Sequence, residues 1–251
     1  MDTRIQQSVI DNLSNRPLPI LTGPFVIGYD PATASPGINY ATPLRDARIT
    51  ASDVAELIEE FRAASLKPRL EYVVSTAPAL EQLLLDAGFT VEERHDYLTC
   101  TPGTLDVPPT PEGFALREPA SPDDRRAMID AQNRAFGGDA EPSEADIARI
   151  TRTQTQGGVA VMAVTSSSEC VGGGLAVSPN GGVSEVAGIA VRPEFRRRGL
   201  AGAITADVTR RLFAGGAEIA WLEASGPDSW RVYERIGYRP TGKRLYISLD
   251  H

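Results

Sequence analysis

The chain is poor in the residues that staple small proteins or bind metals. Two cysteines, Cys100 and Cys170, and two histidines, His95 and His251, stand in 251 residues. Cysteines so few and so far apart make no disulfide scaffold, and a reducing cytoplasm is the expected location. With so few thiols and imidazoles, no metal site is expected. No apolar run is long enough to cross a bilayer, so no membrane partner is expected. The segment MDTRIQQSVIDNLSNRP has no basic stretch followed by an apolar one, so no secretion signal is read there. Basic charge is also short. Lys and Arg number 25 against 33 Asp and Glu, a net charge of −8, most of it in the N-terminal half. That balance argues against nucleic acid as a partner. An acidic surface can attract a cationic amine, although its commoner use is solubility.

What is present is a chain long enough for one large or two small domains, 41% of it apolar. Its most informative stretch is VRPEFRRRGLAGAI, Val191 to Ile204. An alternating segment, VSEVAGIAV, precedes it and predicts a strand. Leu200, Ile204, Val208 and Leu212 follow at helical spacing, up to Gly215-Gly216. Arg196-x-x-Gly199-x-Ala201 therefore lies at a helix start. There, backbone N–H groups lack partners and the macrodipole favours an anion. Gly199 and Ala201 keep side chains out of an anion's way, and Arg196, Arg197 and Arg198 add charge and forked donors. Taken alone, the stretch fits a basic surface turn equally well.

The surrounding order narrows the choice. AEIAWLEAS predicts a second strand, and SWRVYERI a short helix ending at Gly237-Tyr238. Upstream, FALREP predicts a strand. A helix follows from the Ser121 cap, with Pro122 at its first position, and another from Ser143. VAVMAVTS and ECVGGGLAVS are two strands joined to Val183–Val191 through a hairpin at Asn180-Gly181. Strand, R-x-x-G-x-A, helix, strand, and short helix with Tyr233-x-x-x-Gly237-Tyr238 resembles the GNAT superfamily of N-acetyltransferases from Phe114 onward. The resemblance implies an α/β fold with a mixed sheet, and acetyl-coenzyme A as co-substrate.

The N-terminal part repeats the second half of this order. Thr50-Ala51-Ser52-Asp53 predicts a capping box, with Val54, Leu57, Ile58 and Phe61 on one helical face. RLEYVVS is a strand, APALEQLLLDAGF a short helix and DYLTC a further strand. With Gly88 set against Gly237, Pro78 meets Pro227, Phe89 meets Tyr238 and Tyr97 meets Tyr246. Leu84 stands where Tyr233 would be, and RDARITAS has no glycine in the place of Gly199. The segment TPGTLDVPPTPEG predicts a linker. The expected organisation is a degenerate GNAT-like unit at 1–106, a linker at 107–113 and a catalytic unit at 114–251. An unrelated α+β domain is the alternative for the first unit.

Transfer from a thioester to an amine needs an oxyanion donor, a proton for the departing thiolate and a sink for the amine proton. The resemblance points to backbone contacts from Ile189, Ala190 and Val191 along the pantetheine arm. It also points to Arg196, Arg197, Arg198, Gly199, Leu200, Ala201 and Gly202 around the pyrophosphate. It makes Tyr233 the candidate acid; a phenol stays protonated at neutral pH. Period-two spacing puts Glu185 on the strand face of Ile189 and Val191, as a candidate base or as an ordinary half-exposed strand residue. Glu223 is a weaker candidate, and Glu71 and Tyr72 enter only if the first unit faces the acceptor. Trp221 reads as core, Trp230 as a pocket neighbour, and Cys170 lacks a histidine to activate it. The expected acceptor is a small-molecule or peptide amine. A monomer is favoured over a homodimer, because two units in one chain can mimic a dimer. Two competing functions are a non-catalytic acyl-coenzyme A sensor and a transferase of larger acyl groups.

Overall fold

The computed structural model describes residues 1–224 and 226–250, with the backbone alone at Pro227 and Asp228. In chain order the elements are α1 (Asp2–Ser14), β1 (Ile20–Thr22), β2 (Phe25–Gly28), β3 (Tyr40–Pro43), α2 (Ala51–Ala63), β4 (Arg69–Val73), α3 (Leu80–Asp86) and β5 (Thr90–Cys100). Then come β6 (Phe114–Arg117), α4 (Pro122–Ala135), α5 (Glu144–Thr155), β7 (Val159–Thr165), β8 (Cys170–Ala176), β9 (Val183–Val191), α6 (Leu200–Ala214), β10 (Ile219–Glu223), α7 (Pro227–Arg235) and β11 (Arg239–Ser248). Among the described residues no helix is long and apolar enough to cross a membrane.

Packing forms two units, Leu98–Pro240 and a second made of Met1–Tyr97 with the chain from Thr241 onward. The boundaries expected at 106 and 114 fall elsewhere, for two reasons. The Pro-rich segment packs on the unit of Leu98–Pro240: Asp106 N–H donates to the Ile236 carbonyl at 3.1 Å. Its composition marks a lack of regular structure, not a lack of contacts. The strand β11 in turn pairs with β4, Tyr246 opposite Glu71, and so completes the first unit's core.

In the first unit the strand order is β1-β2-β3-β4-β11-β5. Phe25, Val54, Leu57, Phe61, Leu70, Leu84, Leu245 and Ile247 form its core. The face expected for α2 is the one buried, and its Thr50–Asp53 capping box is present. The helix α1 and the β1–β2 hairpin go beyond the sequence-based expectations, although Ile5, Val9 and Leu13 recur every four residues and are all buried. The repeat is visible in detail. Phe89 N–H donates to the Leu84 carbonyl and Tyr238 N–H to that of Tyr233, each at 3.0 Å.

In the second unit the order is β10-β9-β8-β7-β6. Capping boxes at Ser121–Asp124 and Ser143–Asp146 start α4 and α5, as expected. The hairpin differs by one residue. Asn180 pairs with Val183, and Gly181 and Gly182 take the two central left-handed positions, φ 55° and 75°. Tyr238 is fully buried and its hydroxyl lies 2.7 Å from Thr209 Oγ1, which ties the chain after α7 to α6.

The first unit also buries an ion cluster. Glu71 bonds Arg69 and, through Oε2 at 3.2 Å, Arg244; their side chains are 7%, 8% and 1% exposed. Removing one partner from such a group strands the others in a medium that penalises bare charge. Glu71→Ala is therefore expected to destabilise the protein by about 3–5 kcal/mol, read as a shift of the first transition in urea unfolding.

Candidate active site

The site is built on β9. Along β8 the pairs are Val186–Ala176, Ala187–Leu175, Ala190–Gly173 and Val191–Gly172. Gly188 and Ile189 thus stand opposite Gly174 alone, so β9 carries one extra residue, a bulge. Gly188 adopts φ +63°, and a Cβ there would lie 2.9 Å from Gln132 Nε2. That nitrogen donates to the Gly188 carbonyl at 2.7 Å.

The bulge changes which side chains share a face. Val186, Ile189 and Val191 lie on the α6 side, where a Cβ on Gly174 would meet Ile189 and Ile204. Glu185, Ala187 and Ala190 lie on the α4 side, where a Cβ on Gly173 would meet Met128. Glu185 therefore does not share a face with Ile189 and Val191. Simple alternation fails because the extra residue reverses its parity.

The other edge of β9 is only partly covered. Its parallel ladder with β10 pairs Val183, Ser184 and Glu185 with Ile219, Ala220 and Trp221, and among the described residues extends no further. From Val186 to Val191 this edge runs on without β10, so Ile189, Ala190 and Val191 sit on an open stretch.

Beyond β9 the chain makes a single turn at Pro193–Phe195. Arg196 is extended, Arg197 has φ +61° and Gly199 φ +82°. No side chain caps α6, and its first internal bond runs from Ala203 N–H to the Gly199 carbonyl at 3.1 Å. The amides of Leu200, Ala201 and Gly202 are thus not used within the helix. A Cβ on Gly202 would make only ordinary contact with Val232 and Ile236, so the approach of α7 does not depend on a glycine there. Arg196 differs from expectation. Its guanidinium is taken by main-chain carbonyls, Val191 at 3.0 Å and Ala135 at 2.6 Å, and braces the loop. Arg198 lies 5.6 Å from the Phe195 ring centre, and exposed Arg197 has no partner among the described residues.

Tyr233 is 9% exposed and joins the cluster of Val191, Leu200, Ile236 and Tyr238, against which Ile189 and Trp230 pack. Burial pushes its pKa up to about 12, and among the described residues its hydroxyl has no hydrogen-bond partner. Glu223 is half-buried at the end of β10, and Trp221 is core. Burial pushes the Cys170 thiol up to about 11, which suits packing rather than nucleophilic attack. Glu71 is held in its ion cluster and Tyr72 is fully buried within the first unit. Sequence reasoning missed Gln132 and Gly188; the available signal was a glycine inside a strand pattern.

The first unit's corresponding helix start is closed. Thr50 accepts from Asp53 N–H, and the Asp53 carboxylate accepts from Thr50 N–H at 2.7 Å. A carboxylate of the chain itself occupies the place an anionic ligand would need. Its hydrogen bonds from Thr50 hold Asp53 below the usual carboxylate range.

Residues 125–238 match the family model for acetyltransferases of the GNAT family. The chain is similar in structure to a GCN5-related N-acetyltransferase from Kribbella flavida, at 24% identity and a TM-score of 0.83, covering 100% of this chain and 96% of that one. A GCN5-related N-acetyltransferase from Sphaerobacter thermophilus is 16% identical, with TM-score 0.63 over 90% of this chain and 76% of the other. A tandem GNAT protein from the clavulanic acid biosynthesis pathway is 12% identical, with TM-score 0.62 over 89% and 77%. No curated protein matches the sequence. Residues 125–238 thus resemble the acetyltransferase (GNAT) family, and the chain as a whole shares the fold of these structures.

Proposed function

We propose that this protein transfers an acyl group, acetyl by first expectation, from acyl-coenzyme A to an amine by direct transfer. The observation that carries the reading is a pair of open main-chain features joined by one short loop: the edge of β9 beyond Glu185 and the uncapped start of α6. The amides of Leu200, Ala201 and Gly202 suit a pyrophosphate, with Arg197 and Arg198 adding charge. Arg196 supports them by bracing the loop. The edge from Ile189 to Val191 suits the amides of a pantetheine arm. Acetyl-coenzyme A supplies the thioester when bound.

The residues then divide the work. Main-chain N–H groups at the bulge donate to the thioester oxygen as charge grows on it. The amine lone pair forms the new C–N bond and the C–S bond breaks. Tyr233 gives its phenolic proton to the departing sulfur. Glu185, on the opposite face of β9 from Ile189, takes the amine proton only through water. The acceptor is an amine of a small molecule or a peptide.

Acetyl-coenzyme A at 100 times its Kd is expected to stabilise the protein by about 2.7 kcal/mol. Calorimetry should give one site per chain, because Asp53 blocks the first unit's helix start. Gly199→Glu should abolish the thermal shift by placing a carboxylate against the pyrophosphate. A wild-type chain with no shift and no heat at millimolar ligand would remove the reading.

Tyr233→Phe is expected to lower kcat on the order of 10²-fold and to leave acetyl-coenzyme A affinity nearly unchanged. The amine is to be found by thiol release over polyamines, aminoglycosides, amino acids and peptides. The phenol acts in its protonated form, so its contribution is full below its pKa and lost as pH rises through about 12. A pH–rate profile of the wild type should rise as the amine deprotonates. An alkaline fall centred near pH 9 that disappears in Tyr233→Phe would contradict the burial argument.

A further inference from the structure

We infer that Gln132 is a positioning residue that aims the main-chain donor at the bulge of β9. The inference rests on the acyl-transfer reading above. It comes from a hydrogen bond between elements far apart in sequence. Gln132 sits in the last turn but one of α4, is 9% exposed and donates to the Gly188 carbonyl at 2.7 Å. A trans peptide is planar, and its C=O and N–H point in opposite directions. Drawing the Gly188 carbonyl toward α4 therefore sends the Ile189 N–H away from α4, toward the face that carries Ile189 and Val191. A donor on the carbonyl also polarises the peptide and strengthens its N–H as a donor.

The need for such a grip lies in Gly188 itself. At φ +63° without a Cβ, it offers little steric resistance to rotation of the Gly188–Ile189 peptide. A flip would turn the Ile189 N–H to the wrong side. The ladder to β8 skips this position and the ladder to β10 ends at Glu185, so neither neighbouring strand's register holds it. Three residues further along α4, the Ala135 carbonyl accepts from Arg196, which also holds Val191. One end of α4 thus grips both ends of the segment from Gly188 to Arg196. Gln132 fixes the direction of the donor and Arg196 the position of the phosphate loop.

The test compares wild type with Gln132→Met and Gln132→Glu, which keep the length of the side chain and lose the donor at neutral pH. Three quantities are read: acetyl-coenzyme A affinity by calorimetry, kcat with the fastest amine of the panel, and amide hydrogen exchange at residues 188–191. Both variants are expected to lose kcat on the order of 10- to 100-fold, part of the effect of removing an oriented donor altogether. Affinity should stay within about two-fold, since Gln132 acts on the transition state rather than on binding. Exchange should quicken at 188–191 and not elsewhere. Wild-type kcat with wild-type exchange would overturn the inference. So would parallel losses of affinity and kcat with faster exchange throughout, which would make Gln132 a general structural residue. A wild type that binds acetyl-coenzyme A and acetylates no amine sinks the acyl-transfer reading instead, and with it the donor role of the bulge. Unchanged exchange at 188–191 in the variants, where the wild type does acetylate, sinks Gln132 alone.

Discussion

A main-chain N–H or C=O removed from water has to find a partner, and this rule governs the segment from Val186 to Gly202. Between inner strands of the second unit the ladders run on. The β7–β8 ladder, for instance, runs from Val159 to Val164. At β9 the accounting stays open on one edge, and it stays open again where α6 begins without a side-chain cap. The helices α2, α4 and α5 each carry a full capping box, whereas α6, like α1, α3 and α7, starts without a side-chain cap. A sequence able to write Ser-x-x-Asp or Thr-x-x-Asp at three helix starts writes Arg-Gly at this one. The open edge and the uncapped start are the features on which the proposed coenzyme A site rests.

Much of this was legible from residue order. Helix starts were, because a cap is a local statement within four residues: Thr50, Ser121 and Ser143 stand where expected. The stripe Leu200–Leu212 was legible for the same reason. The failures share a different cause. Glu185 was assigned to the wrong face because strand parity is a count, and one inserted residue at Gly188 resets it for everything beyond. Arg196 was given to an anion because its carbonyl partners, Val191 and Ala135, come from separate elements that only the folded chain brings together. Glu71 looked available until β11 brought Arg244 beside it. Local grammar reads caps, stripes and turns; it does not read where a long polar side chain spends its donors.

The two units use one plan for opposite ends. Each has a helix start after a strand, and each has a short helix whose carbonyl is bonded by the first aromatic beyond its glycine. In one unit the helix start is bare and Tyr233 lines the apolar cluster next to it. In the other, Asp53 closes the start and Leu84 takes the phenol's place in a plain hydrophobic core. Two side chains thus separate a ligand-ready frame from a self-satisfied one. A helix that binds its own carboxylate is easier to fold alone, because it needs no ligand to settle its first turn.

The position of β11 has a consequence for how the protein is made. Glu71 and Arg244 are 173 residues apart, and Leu245 and Ile247 fill the first unit's core. During synthesis the first unit emerges early yet stays a strand short until the whole second unit has left the ribosome. Its waiting state exposes the edge of β4 and a half-built apolar face, the kind of surface that recruits chaperones or neighbouring chains. Closing so long a loop carries an entropic cost that grows only slowly with length, so the burden falls on timing more than on final stability. The second unit is in effect an insertion within its companion, and the order of birth along the chain is the reverse of the order in which the two can be finished.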